Sequence, residues 1–186
     1  MDVANRVVLI TGASSGVGAA LAEQLAGMGA RVVVNYSRSA DAADAIVSRI
    51  TSAGGQALAV QADVSEEADC KRLVAATIEQ FGQLDVLVNN AGTTTFVPHD
   101  QLEALTEEIW LRTLRVNLIG AFMMSREAAP HIGAAGGGEI IMTSSIASMT
   151  ANGSSIAYCA SKAGMNSLTR TLAKTCLLYT SPSPRD

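Results

Sequence analysis

Tyr158 and Lys162 stand four residues apart in the stretch Tyr158-Cys159-Ala160-Ser161-Lys162. On a helix, that spacing puts both side chains on one face. An ammonium beside a phenol favours the phenolate, which draws the phenol from its ordinary pKa of about 10 toward neutrality. A tyrosine tuned in this way can give or take a proton at working pH. Ser145 precedes Tyr158 by thirteen residues and follows the run Gly138-Glu139-Ile140-Ile141-Met142-Thr143-Ser144. The run reads as a buried strand with Ser145 near its C-terminal end. Ligands of open α/β sheets bind outside such ends. A lone Tyr-x-x-x-Lys pair equally suits an amphipathic helix with a snorkelling lysine, so the surrounding elements decide.

Those elements begin with Arg6 to Thr11, a short β-rich run. Thr11-Gly12-Ala13-Ser14-Ser15-Gly16-Val17-Gly18 follows, and then the helical pattern of Leu21, Leu25 and Met28. Strand, glycine turn and helix together form the context of a dinucleotide fingerprint. Gly12 permits the tight turn, Gly16 lets backbone approach a pyrophosphate, and Gly18 allows close helix packing. The N–H groups at the helix start then hold the phosphates. The spacing is Gly-x-x-x-Gly-x-Gly rather than Gly-x-Gly-x-x-Gly. Ser15 is not basic, so one common phosphate clamp is missing.

Arg31 to Tyr36 reads as the second strand. Ser37 and Arg38 follow it, with no acid before Asp41. A carboxylate there would take the ribose 2′-hydroxyl of NAD, whereas a cation accommodates the 2′-phosphate of NADP. NADP(H) is therefore favoured, with NAD(H) as the alternative. Arg38 also reads simply as a solvated loop cation. A helix over about 40–53 and a third strand, Gln56 to Gln61, come next. Asp63 at that strand's end admits two readings, a contact to an adenine amino group or a turn-forming aspartate. Ser65 is the expected N-cap of the following helix. Leu84 to Val88 is the fourth strand, closed by Asn89-Asn90-Ala91-Gly92. Leu102 to about Ile132 carries one long helical pattern, with Asn117 interrupting its apolar face. Asn117 either holds, through its carbonyl, a water linked to Lys162, or bends or caps the helix. Strands alternate with helices throughout, which predicts a doubly wound parallel sheet in a three-layer α/β/α arrangement.

Hydrophobic residues make up 48% of the 186 and aromatic residues only 4%, so the core is aliphatic, as in a parallel sheet covered on both faces. The net charge of −4 and the lack of a basic patch argue against a nucleic-acid partner. No apolar run is long enough to span a bilayer, and no signal peptide is evident, so no membrane partner and a cytoplasmic setting are expected. Cys70, Cys159 and Cys176 lack metal-ligand or disulfide spacing. The triplets starting at Asn35 and Asn152 are then chance glycosylation matches.

The ordered set Thr11-Gly12-x-x-x-Gly16-x-Gly18, Asn89-Asn90-Ala91-Gly92, Asn117, Ser145 and Tyr158-x-x-x-Lys162 resembles the short-chain dehydrogenase/reductase family. The resemblance covers residues 4–174. It implies a Rossmann-type fold and hydride transfer between NAD(P)H and a carbonyl or alcohol, such as a ketone or a 3-oxoacyl group. Tyr158 is then the general acid/base, and Lys162 assists it and holds the nicotinamide ribose. Ser145 bonds the substrate oxygen, and Asn117 anchors a water in the proton relay. Cofactor contacts fall to Gly12, Ser14, Ser15, Gly16, Val17, Gly18, Ser37, Arg38, Asp63, Val64, Asn89, Ala91 and Gly92, with Tyr158 and Lys162. A small carbonyl or alcohol substrate and a homo-oligomer, dimer or tetramer, are implied as well. The alternative reading is a non-catalytic NAD(P)-binding regulator.

The end of the chain departs from the pattern. Residues 176–186, with two prolines and no periodicity, resemble a translated sequencing adapter rather than part of the domain, which is expected over 1–175. Members of the family usually continue through further strands. The natural protein is therefore expected to run on past Thr175. The chain as written is expected to be an inactive or unstable fragment, with its fifth strand an exposed apolar edge.

Overall fold

The computed structural model describes residues 3–176; residues 177–186, nearly all of the expected tail, lie outside it. The elements are β1 (Val7–Ile10), α1 (Gly16–Gly27), β2 (Arg31–Tyr36), α2 (Ala40–Ser52), β3 (Gln56–Gln61), α3 (Glu67–Phe81), β4 (Val86–Asn89), α4 (Glu107–Leu114), α5 (Ala121–Ala134), β5 (Glu139–Met142), α6 (Ala147–Thr150) and α7 (Ile156–Cys176). They fall into two compact units. One holds residues 3–91 and 123–143, and the other holds 92–122 and 144–176.

The first unit is built on a five-stranded sheet in the order β3-β2-β1-β4-β5, and every pairing is parallel. Side chains alternate across a strand. Val8, Ile10, Val32, Val34, Val86 and Val88 therefore share one face, where they pack with Ala22 and Ala26 of α1 and Ala43, Ile46 and Ile50 of α2. Val7, Leu9, Val33 and Leu87 point the other way and are equally buried. Such two-sided burial explains why β1 and β4 read as continuous apolar runs. The strand order reverses between β1 and β4, and the carboxyl ends of strands at that point are where open α/β sheets bind ligands.

Polar groups close the opposite end of the sheet. The buried Asp85 carboxylate accepts the Val7 N–H at 2.7 Å and the Gln83 side-chain amide at 2.7 Å. Arg31 donates to the carbonyls of Phe81 and Asn5, and its guanidinium lies 5.7 Å from the Phe81 ring centroid. Among the described residues β5 pairs only with β4 and forms one edge, with Ile141 48% exposed.

The second unit is helical: α7 packs against α4, α6 and a π-helical stretch, Arg115–Gly120. Here the structure corrects the sequence reading. The expected single helix from Leu102 is a 3₁₀ turn, Leu102–Ala104, then α4, the π stretch and α5. Thr106 caps α4 by accepting the Ile109 N–H at 3.4 Å, which starts a helix there. The expected Ser65 cap also differs. α3 begins at Glu67 after Glu66, and the Ser65 hydroxyl donates to the Asp63 carboxylate at 2.6 Å instead.

Gly138 enters β5 against the main chain of β4's approach. A Cβ placed there would lie 1.9 Å from the Asp85 carbonyl oxygen, the acceptor for the Glu139 N–H at 3.1 Å. Gly138→Ala is expected to cost about 1–3 kcal/mol through forced backbone shifts. A denaturant midpoint equal to that of the parent would refute this account of the glycine.

Candidate active site

In the first unit, the turn after β1 is held by three polar residues. The Thr11 hydroxyl donates to the Val88 carbonyl and accepts the N–H groups of Asn90 and Ala91, both at 3.0 Å. The Asn90 amide donates to the carbonyls of Thr11 and Gly12 at 3.0 Å. The Asn35 side-chain oxygen accepts the Gly12 N–H at 3.1 Å, while its nitrogen reaches the Val60 and Ala62 carbonyls. Gly12 has φ of +62°, and a Cβ there would lie 2.8 Å from the Ala91 Cα. A Cβ on Gly18 would meet the Asn90 amide at 2.5 Å. These two glycines are therefore required by sterics.

At Gly16 a Cβ would face open space, and it is the φ of +57° that favours glycine there. Gly16 starts α1, with Ser15 as N-cap and no side-chain hydrogen bond closing that end. Ser14 is half-buried, and Ser15, Gly16 and Val17 are exposed. An uncapped helix start beside open space presents N–H donors of the kind that take phosphates, so the turn fits a dinucleotide's pyrophosphate. Ser37 and Arg38 lie exposed at the carboxyl end of β2. Asp63 forms a turn: one carboxylate oxygen accepts both the N–H and the hydroxyl of Ser65. Val64 beside it is buried. Asn89 is buried and donates to the Ser125 hydroxyl at 3.1 Å, tying β4 to α5.

In the second unit, α7 is capped by Ser155, whose hydroxyl accepts the N–H of Tyr158 at 3.3 Å. Tyr158 thus lies in the first turn of α7, with Lys162 one turn on. The Lys162 ammonium is 5.8 Å from the centroid of the Tyr158 ring, so the two side chains do share a face. Lys162 is only 4% exposed. Burial disfavours its charged form and holds its pKa below the usual lysine value.

Asn117 is fully buried within the π stretch. Its side-chain oxygen accepts the Thr93 N–H at 2.7 Å, and its nitrogen donates to the Thr93 carbonyl at 2.9 Å and to the Ser161 hydroxyl at 3.0 Å. Ser161 in turn donates to the Tyr158 carbonyl at 2.7 Å. The Asn117 side chain therefore fixes the chain beyond Gly92 and the second turn of α7. The Ser145 hydroxyl accepts the Ala147 N–H at 3.2 Å, which leaves its own hydrogen to donate.

Asn35, Ser155 and Ser161 have structural roles at these sites that the sequence reading did not assign. The available signals were polar residues set in otherwise apolar stretches and a serine just before a helix. Among the described residues, no group of three or more His, Cys, Asp or Glu could hold a metal ion, and no helix is long and apolar enough to cross a membrane.

The burial of Lys162 has a pH signature. Its folded pKa lies below its unfolded value, so between the two the unfolded chain carries more protons and stability rises with pH. Relative to Lys162→Met, the parent is expected to gain stability as the pH rises toward the ordinary lysine pKa of about 10. Parallel unfolding curves with a constant gap would contradict this.

A family profile described as short chain dehydrogenase matches residues 6–179. The chain is 46% identical over 169 residues to a protein named as ketoacyl reductase 2 of the granaticin polyketide synthase from Streptomyces violaceoruber, covering 91% of this chain and 66% of that one. It is 40% identical over 169 residues to a 3-oxoacyl-[acyl-carrier-protein] reductase from Synechocystis, covering 91% of this chain and 67% of the relative. A crystal structure described as a short-chain dehydrogenase/reductase from Burkholderia xenovorans matches with a TM-score of 0.91 at 35% identity, over 94% of this chain and 73% of that one. The chain thus spans about two thirds of the length of these curated relatives.

Proposed function

The chain belongs to the short chain dehydrogenase family, and from that premise we propose that it serves the reduction of a ketone, of the 3-oxoacyl kind, at the expense of NADPH. The observation that carries this reading is the buried Lys162 ammonium beside the Tyr158 ring, one helical turn apart. A lysine kept at 4% exposure next to a phenol serves proton chemistry better than it serves packing.

Tyr158 donates its proton to the carbonyl oxygen as negative charge develops there, and Ser145 donates a hydrogen bond to the same oxygen. Lys162 offsets the charge that Tyr158 acquires and holds the nicotinamide ribose. Asn117 keeps a water in the relay that returns the proton. Its side-chain oxygen already serves Thr93, so we assign that water to the backbone carbonyl. When bound, the nicotinamide supplies the hydride.

The backbone from Gly12 through Ser14, Ser15, Gly16, Val17 and Gly18 holds the pyrophosphate. Asp63 and Val64 contact the adenine, and Asn89, Ala91 and Gly92 flank the cofactor. Ser37 and Arg38 take the 2′-phosphate, which makes NADP(H) the preferred cofactor over NAD(H). A small carbonyl or alcohol substrate, a cytoplasmic setting and assembly as a homodimer or homotetramer complete the proposal.

Tyr158→Phe separates catalysis from binding. We expect NADPH still to bind and residual turnover across a ketone panel to fall by about 10²–10⁴-fold. A variant as fast as the parent would end the acid/base assignment. A parent that binds NADPH yet reduces no ketone would point to the non-catalytic regulator or to the inactive fragment expected of the chain as written. In a cofactor titration, NADPH is expected to bind more tightly than NADH, and Arg38→Ala to narrow the gap. Equal affinities in the parent would defeat the NADP(H) preference.

A further inference from the structure

Asn166 lies one turn beyond Lys162 and two beyond Tyr158 on α7, close to their face of the helix. Its amide is used at both ends. The Ser144 hydroxyl donates to its oxygen at 2.6 Å, and its nitrogen donates to the Ser148 hydroxyl at 2.7 Å. Ser148 passes the restraint on, because its hydroxyl donates to the Ser145 carbonyl at 2.6 Å and its N–H donates to the same oxygen at 3.0 Å. Ser145 is thus flanked by two residues, one before it and one three after it, that the same side chain holds.

The amide orientation follows from this chain. Ser148 has one hydroxyl hydrogen, already given to Ser145, so it must accept from Asn166. The Asn166 nitrogen therefore faces Ser148, which leaves its oxygen for Ser144. A carboxylate lacks the donor, and an apolar side chain lacks both groups. The need for such a tie is also physical. α6, which begins two residues after Ser145, has only four residues, and helices that short do not hold themselves.

We propose that Asn166 is a positioning residue for Ser145: it ties the segment carrying Ser145 to the helix carrying Tyr158 and Lys162. Its consequence for catalysis rests on the reductase reading above. Asn166 acts through Ser145 and needs no contact with substrate.

Two measurements on the full chain test this. The first is native-state hydrogen exchange in Asn166→Leu and Ser148→Ala, with the parent as reference. The amides of Ala147 and Ser148 are expected to exchange on the order of tenfold faster in both variants, with the sheet of the first unit unchanged. Unchanged exchange at Ala147 and Ser148 would overturn the proposal, whether or not the protein is a reductase. The second is a double-mutant cycle. Asn166→Leu is expected to lower kcat for a ketone by on the order of 10–100-fold, with NADPH affinity unchanged. In a Ser145→Ala background, the same change is expected to cost nothing further. A full additional loss there would show that Asn166 does not act through Ser145. Absence of turnover in the parent would fit the inactive fragment expected of the chain as written, and hydrogen exchange would then decide the positioning role.

Discussion

A buried ammonium constrains its surroundings more than any other group in the second unit. Lys162 at 4% exposure has given up most of its water, and burial works against its charge. The face of the Tyr158 ring returns part of that cost. The pair is useful only if the register of α7 is fixed. Ser155 fixes the start of the helix by bonding the N–H of Tyr158 itself. Ser161 fixes the next turn through the Tyr158 carbonyl and the Asn117 amide. Each of these bonds is buried or half-buried, where leaving one unmade is expensive.

The first unit answers a different demand with the same means. A turn that is to receive phosphates must present its own N–H groups, so it cannot spend them all on itself. Its rigidity is therefore supplied from outside, by Thr11, Asn35 and Asn90. Their side chains secure the carbonyls of Thr11 and Gly12 and the N–H of Gly12, while the start of α1 stays uncapped. Close packing then forbids any side chain at Gly12 or Gly18 and leaves room only at Gly16.

How much of this was legible in the sequence follows from the range of the forces involved. The limits of β2 and β3 coincide with those expected, because polar or turn residues bound each apolar run. The parallel sheet was legible too, since strands buried on both faces have a distinctive composition. The pairing of Tyr158 with Lys162 needed only helical spacing. The helix expected from Leu102 was not read correctly, because periodicity alone does not reveal the Thr106 cap or an added residue in the turn at Asn117. The roles of Asn35, Ser161 and Asn166 were illegible for another reason. Each depends on a partner far away in the chain, and a lone polar residue does not announce which carbonyl it will meet.

The π-helical stretch at Arg115–Gly120 makes Asn117 hard to inherit by gradual change. It closes its turns with one residue more than its flanks do. Losing that residue would restore an ordinary α-helical frame, yet the part of the stretch beyond it would turn by about 100° relative to α4. α4 and the π stretch both pack on α7, so a lineage that lost the extra residue would have to rebuild that packed face.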